Sequence, residues 1–384
     1  MHNPKRKIYY LTYNEAYSGV YQSQIIDVVT FLNAQFDVEV KLVALVPIQK
    51  YAILKAEFKK KFSDIIVLPS FPKMKWWRMN RFIIQSKLQH ADAIIARNPI
   101  ATNIALELRR NGFCKKVCAD IRGAFAAEFK EYLTKNNELI HLARSLETTA
   151  VEESNYRLFV TNMLLKYYRN ISNYEKDDHV IIPTTLDNSY RRALPNMLEI
   201  DALRKKLNIP VESVVIVFSG GNADWQSFEL IDTFFHQQLS ANPNIFALIL
   251  SKTDISNWKS MKSFPTRIKQ AFVAPDEVFQ WLALCDYGLL LREESITNQV
   301  SSPTKCAEYL AAGLPVIISK NIGDYSAVVN AENLGMIYEG DEVKLPRVLE
   351  NERLRMQKFA TENYFKHSAE NQLNYKALID SLSS

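Results

Sequence analysis

The run from Leu289 to Ser319, LLLREESITNQVSSPTKCAEYLAAGLPVIIS, leaves little choice of local structure. Leu289–Leu291 is an apolar strand-like run that gives way to a polar loop. Ser302-Pro303 then supplies a helix-start signal, Ser as N-cap and Pro at the first helical position. Gly313 is the matching stop, and Leu314-Pro315 leads straight into a second strand, Val316–Ile318. A helix opening at the carboxyl end of a buried strand presents unbonded N–H groups and a positive dipole end, which together make a phosphate or other anion site. Ser301, Ser302 and Thr304 line that turn. Lys305 adds a formal charge, and Glu308, one turn on, offers a carboxylate to sugar hydroxyls.

The same alternation runs through the rest of the chain. Ile8–Thr12, Val38–Ala44, Ile65–Leu68, Ala93–Ala96, Val117–Ala119, Leu158–Thr161 and Val180–Ile182 read as strands, with helical patterns such as Val20–Ala34 between most of them. Strands alternating with helices imply an α/β fold with parallel sheets, and ligands at the carboxyl ends of the strands. Short polar segments sit at those ends. Gly19, Arg97 and Arg122 lie in these segments as ligand-contact candidates, the two arginines on an acceptor side. Each arginine also has a structural reading, Arg97 paired with a carboxylate and Arg122 with Asp120. The second half repeats the theme. Val214–Phe218 is a β-branched run of the kind buried in parallel sheets. It ends in Gly220, Gly221 and Asn222, where paired glycines let backbone approach a ligand. Lys252 follows the strand Phe246–Leu250, and Val273-Ala274 follows another short strand.

With 384 residues the chain has room for two domains, each with its own core. The boundary is expected after Asp187, giving domains 1–187 and 188–350, with closing helices over 351–384.

SPTKCAEYLAAGLPVI resembles the donor-site signature of the retaining glycosyltransferases of family 4, and in particular a subgroup from bacterial surface-polysaccharide clusters. The resemblance implies a GT-B fold, two Rossmann-like domains with parallel sheets facing across a cleft, and final helices that cross back to the first domain. It implies a nucleotide-diphosphate sugar as co-substrate, no metal, and a glycan or lipid-linked acceptor. Glu308 matches the glutamate that binds the nucleotide ribose, and Val273 and Ala274 match the loop beside the base. Many members carry another glutamate eight residues before the first; here Val300 stands there, with Asn298, or Glu293 and Glu294 further upstream, as substitutes, and Asn298, Lys305 and Arg122 are the catalytic candidates. The Arg and Lys that the family often has near the first glycine loop are also absent, which leaves Lys252 and Lys305 to meet the diphosphate. No histidine follows a strand end in the first half, so the usual donor-sugar histidine has no counterpart. An epimerase of the same fold and a non-catalytic partner subunit are the alternatives.

Composition narrows the classes further. Hydrophobic residues at 47% and charged residues at 23% describe a globular chain. No apolar run reaches the roughly 20 residues that span a bilayer. The opening MHNPKRKIYYLTYN lacks the apolar core and cleavage site of a signal peptide, so a cytoplasmic location is expected. The cysteines Cys114, Cys118, Cys285 and Cys306 read as free buried thiols. There is no Asp-x-Asp, Walker loop, Gly-x-Gly-x-x-Gly or His-Glu-x-x-His, and no histidine pair with ligand spacing. Charge is uneven: residues 1–190 hold 27 Lys+Arg against 19 Asp+Glu, and the remainder 20 against 23. The excess is densest in Lys50–Lys61 and Lys73–Phe82. Lys and Arg interleaved with Trp76, Trp77 and Phe82 suit an anionic membrane surface. No nucleic-acid module accompanies them, so nucleic acid is not an expected partner.

Overall fold

The computed structural model describes residues 5–186, 188–221 and 224–383. Asn222 and the boundary residue Asp187 lie outside the described residues. The chain divides into two compact units, Met1–Thr185 with Ala369–Ser384, and Leu186–Ser368.

The first unit is built on a seven-stranded parallel sheet, β1 (Arg6–Tyr13), β2 (Val38–Pro47), β3 (Ile66–Ser70), β4 (Ala91–Arg97), β5 (Cys114–Ile121), β6 (Tyr156–Phe159) and β7 (His179–Ile181), in the order β3-β2-β1-β4-β5-β6-β7. Helices cover both faces, so the strands are apolar on successive residues instead of alternating. Leu42, Val43, Ala44, Leu45 and Val46 in β2 are all buried. The expected Val20–Ala34 helix forms as two α segments, Gly19–Tyr21 and Asp27–Gln35, joined by a wider π turn over Gln22–Ile26.

Only the last helix, Ala369–Ser383, packs on this unit. Buried Tyr375 lies 5.0 Å from the Phe31 ring, Asn374 donates to the Ile181 carbonyl at 3.2 Å, and Lys116 donates to the Ser381 carbonyl at 2.7 Å. The helix before it, Glu350–Asn363, stays with the second unit, where buried Arg353 donates to the carbonyls of Ala283 and Cys285.

The second unit holds a six-stranded parallel sheet, β8 (Val214–Ser219), β9 (Ile245–Leu250), β10 (Ile268–Ala271), β11 (Tyr287–Leu290), β12 (Val316–Ser319) and β13 (Gly335–Tyr338), in the order β10-β9-β8-β11-β12-β13. Strand β13 carries no sequence signal, because its pairing depends on a glycine. A Cβ on Gly335 would sit 2.0 Å from the Val316 carbonyl oxygen, at a backbone φ of +152°.

Under this sheet lies a buried ionic knot. Asp286 Oδ2 accepts from Arg204 Nη2 at 2.7 Å and from the Val215 N–H at 2.8 Å, while Oδ1 accepts from the Val348 N–H at 3.3 Å and faces Arg353 at 3.7 Å. One carboxylate thus joins β8, the start of β11, the helix Met197–Lys206 and the helix Glu350–Asn363. Removing one partner from a buried pair strands the other charge. Asp286→Ala is expected to cost about 3–5 kcal/mol, read as a lowered denaturant midpoint of the second unit. The four cysteines are free and buried, and burial raises the Cys114 thiol to about 12. Native protein should therefore resist a thiol reagent that labels all four residues after unfolding, as followed by mass spectrometry.

Candidate functional site

In each sheet the strand order reverses once, and loops leaving that point are splayed apart to form a crevice at the carboxyl ends. In the second unit β8 leads outward to β9 and β10, and β11 leads the other way to β12 and β13. The loop after β8 opens with Gly220 and Gly221, and the loop after β11 runs from Leu291 to Pro303. Tyr309 locks the two strand ends together. Its buried hydroxyl accepts from the Ser219 N–H at 2.9 Å and donates to the Leu289 carbonyl at 3.2 Å. The ring lies over Gly288, where a Cβ would approach it to 2.3 Å. Gly220 is also required, since a Cβ there would meet the Phe218 ring at 2.8 Å, whereas Gly221 faces open space.

The helix that carries Tyr309 spans Thr304–Ala311. Its N-cap is Pro303, not Ser302, because Pro303 keeps an extended ψ of 118° and the first helical turn starts one residue later than the Ser-Pro signal predicts. Ser302 is hydrogen-bonded instead to the Tyr325 hydroxyl at 3.1 Å. The stop is as read: Gly313 has φ +78°, its N–H reaches the Leu310 carbonyl at 3.0 Å, and the Leu314 N–H reaches Tyr309 at 2.9 Å, a Schellman end. Within the first turns Lys305 Nζ binds Glu308 Oε2 at 2.7 Å. Glu308 is only 7% exposed and Lys305 is half-buried. Thr304 and Ser301 are half-buried in the same turn.

Asn298, in the short helix Ile296–Gln299, is fully buried and committed within its own segment. Its amide donates to the Glu293 carbonyl at 3.0 Å, and its Oδ1 accepts from Arg292 Nη1 at 3.3 Å. The same guanidinium lies 3.4 Å from Ser301 Oγ, and the Arg292 N–H donates to Ser319 Oγ at 2.9 Å. Sequence reasoning missed Arg292, and the one signal for it was a cation set directly after the apolar Leu289–Leu291 run. Lys252, in the bend after β9, has its Nζ 4.1 Å from the centroid of the exposed Phe272 ring that follows β10. Val273 is half-buried and Ala274 exposed, its N–H donating to Glu277 at 3.2 Å.

In the first unit the reversal falls between β1 and β4. Asn14 after β1 and Asn98 after β4 both hold positive φ, 54° and 71°, in a region that non-glycine residues occupy at a cost. Arg97 is buried between them, donating to Glu15 at 3.0 Å and to Gln24 at 2.8 Å. Arg122 Nε lies 2.6 Å from buried Asp120 Oδ1, and Tyr10 donates to the other carboxylate oxygen. Burial drives the Tyr10 hydroxyl well above its ordinary range, helped by the Asp120 charge. Burial opposes the Arg122 charge, but Asp120 and Tyr10 more than offset it and its pKa rises. Both arginines therefore have the carboxylate partners of their structural reading, while Arg122 keeps a side chain that is 17% exposed. Burial and the neighbouring Glu131 and Glu15 raise the Glu128 carboxyl. Gly19 is exposed after β1, where Ser18 caps the helix by accepting from the Tyr21 N–H at 3.1 Å. Among the described residues no group of three or more His, Cys, Asp or Glu converges to hold a metal ion.

No protein-family model matches the chain, and no curated protein sequence does. Solved structures match over nearly its whole length. Anabaena HepE, crystallised with UDP, aligns with TM-score 0.69 at 14% identity, covering 97% of this chain and 100% of that one. The same protein with UDP-glucose aligns with TM-score 0.65 at 13% identity, over 98% and 100%. A glycosyltransferase from Rickettsia africae aligns with TM-score 0.67 at 12% identity, over 99% and 98%. The fold is GT-B. At such identity the likeness speaks for the architecture alone.

Tyr309→Phe keeps the ring and removes the bridge between β8 and β11. Leaving the buried Ser219 N–H without an acceptor should cost about 1–3 kcal/mol. Faster hydrogen exchange at Ser219 would report the loss directly.

Proposed function

We propose that the chain is a glycosyltransferase that takes a sugar from a nucleotide-diphosphate donor on its second unit and passes it to a glycan or lipid-linked acceptor on its first. The observation that carries this reading is the Lys305–Glu308 pair, 2.7 Å apart on a helix that opens beside the β8/β11 reversal of a GT-B fold. HepE, with the same architecture, was crystallised with UDP and with UDP-glucose, which supports a nucleotide sugar as the ligand class.

In this reading Glu308 accepts hydrogen bonds from the ribose hydroxyls. Binding of the donor competes with the ion pair, freeing Lys305 to face the diphosphate alongside the first amides of the helix. Fixed donors aimed at the charge that grows on the leaving phosphate stabilise the transition state without a metal. The Gly220-Gly221 backbone approaches the diphosphate from the β8 side, and Val273 and Ala274 border the base. Transfer proceeds with retention: the acceptor hydroxyl attacks from the face the nucleotide leaves, and the departing phosphate oxygen takes its proton. Arg122, the more exposed of the two arginines, orients the acceptor. The product is a hexosyl linkage in a cell-surface polysaccharide.

Calorimetric titration with UDP tests the donor site. Glu308→Ala should weaken UDP binding about tenfold or more, the loss of one or two charged hydrogen bonds, and unchanged affinity would refute the ribose role. Lys305→Ala should lower transfer from UDP-glucose more than it lowers uridine binding, because uridine has no phosphate to meet the cation. Equal losses would remove Lys305 from the diphosphate. UDP-glucose binding without transfer to any glycan acceptor would favour a non-catalytic subunit.

A further inference from the structure

The 3-10 segment Met74–Met79, kinked at Trp76 (φ −106°, ψ 15°), leads into the helix Asn80–Lys87, and the kinked rod has two apolar stripes where a core helix needs one. Trp77, Asn80 and Ile84 are buried on one side. On the other, Trp76, Met79 and Phe82 follow one another at three-residue spacing and are 50%, 47% and 50% exposed. The core does not require the second stripe, and among the described residues it stays half exposed, with only the Phe71 ring edge-on to Trp76 at 6.5 Å.

Cations border the stripe. Lys73, Lys75 and Arg78 are exposed around it, Lys73 lies 4.9 Å from the Trp76 ring centroid, and Arg81 stacks on Phe82 at 4.6 Å. From Phe71 to Ala91 the chain contains no acidic residue. Acids from other elements answer part of the charge: Lys75 pairs with Glu138 at 2.6 Å, and Arg81 with Glu107 at 2.7 Å. Lys73 makes no ion pair among the described residues, and Arg78 reaches Glu107 only at 3.9 Å with its side chain 72% exposed.

The sheet topology extends this surface. Strands β3, β2 and β1 are consecutive neighbours, about 4.8 Å apart, and the rod follows the carboxyl end of β3. Exposed Ile48 and Ile53 follow the same end of β2, beside Lys50 and Lys55, and exposed Val20 follows that of β1. Apolar side chains and lysines thus collect at one corner of the first unit, on the edge from which acceptor-side loops leave the sheet.

We propose that this corner docks on an anionic lipid bilayer, with Trp76, Met79 and Phe82 inserted at the headgroup boundary and Lys73, Arg78, Lys50 and Lys55 meeting lipid phosphates. Aromatic rings prefer that boundary, and long cationic side chains reach from it into the headgroups. The inference is independent of the donor site. It concerns where the protein works, and it places a lipid-linked acceptor at the surface that the first unit contacts.

Co-sedimentation of the full chain with vesicles tests it. The protein should pellet with phosphatidylcholine vesicles containing phosphatidylglycerol, remain in solution with phosphatidylcholine alone, and be released by salt. The triple variant Trp76→Ser/Met79→Ser/Phe82→Ser should bind the anionic vesicles about tenfold or more weakly, with an unchanged melting temperature and UDP affinity. Lys73→Glu/Arg78→Glu should weaken binding in the same way. Failure of the parent protein to pellet with anionic vesicles would overturn the proposal, as would parent-like binding by the triple variant. Capture of duplex DNA without vesicle binding would also overturn it. UDP titration of the same samples keeps this result separate from the donor reading.

Discussion

The second unit hangs on one buried carboxylate. Asp286 sits at the amino end of β11 and is shared by Arg204, Arg353 and two backbone N–H groups. Two guanidiniums and one carboxylate taken out of water are expensive, and the hydrogen bonds gathered on Asp286 and on the carbonyls of Ala283, Leu284 and Cys285 offset the desolvation. At the other end of the same strand pair, the Tyr309 hydroxyl bridges β8 and β11. The central strands are thus held at both ends. The loops that leave them, Gly220-Gly221 on one side and the Arg292 loop on the other, start from fixed points, which is what a site built on backbone amides needs.

The first unit handles charge differently. Arg97 and Arg122 stand where ligands bind in such sheets, yet most of their donors are spent on Glu15, Gln24 and Asp120. Their work is largely to hold the β1, β4 and β5 ends in register against the strained backbone of Asn14 and Asn98. What remains for a ligand is a balanced polar surface, suited to neutral hydroxyls more than to a strong anion.

The Lys305–Glu308 pair satisfies its own polarity within one helix. Three residues apart on a helix, the two side chains satisfy each other at 2.7 Å. A ligand must therefore offer both a cation's partner and a carboxylate's partner to displace the pair without loss. The exposed Trp76, Met79 and Phe82 stripe follows the opposite logic, with apolar surface left bare beside cations where the core has no use for it.

Much of the fold was legible because it rests on local patterns. The runs read as strands in the first half all became strands, since near-continuous apolar stretches can be satisfied only inside a covered parallel sheet. Gly313 ended its helix because a left-handed residue was needed there. Strand β13 escaped notice because its one requirement, an absent Cβ on Gly335, is set by Val316 across the sheet. Ser302 lost its expected cap to Pro303 through a one-residue change in where the turn closed. Of the residues around the β8 and β11 ends, Lys305 and Glu308 stood out from spacing as candidates, whereas Arg292 and Tyr309 did not, nor did the full partner set of Arg97 in the first unit. By itself the sequence determined most of the order of strands and helices, which helix meets a strand end, and how basic and aromatic residues interleave, because these depend on neighbours a few residues away. Tertiary structure alone decided that Tyr309 joins Ser219, that Asp286 gathers Arg204 and Arg353, and that Asn298 is spent within its loop. Those contacts pair groups that the chain path brings together only after the sheets have formed, and no local spacing encodes them.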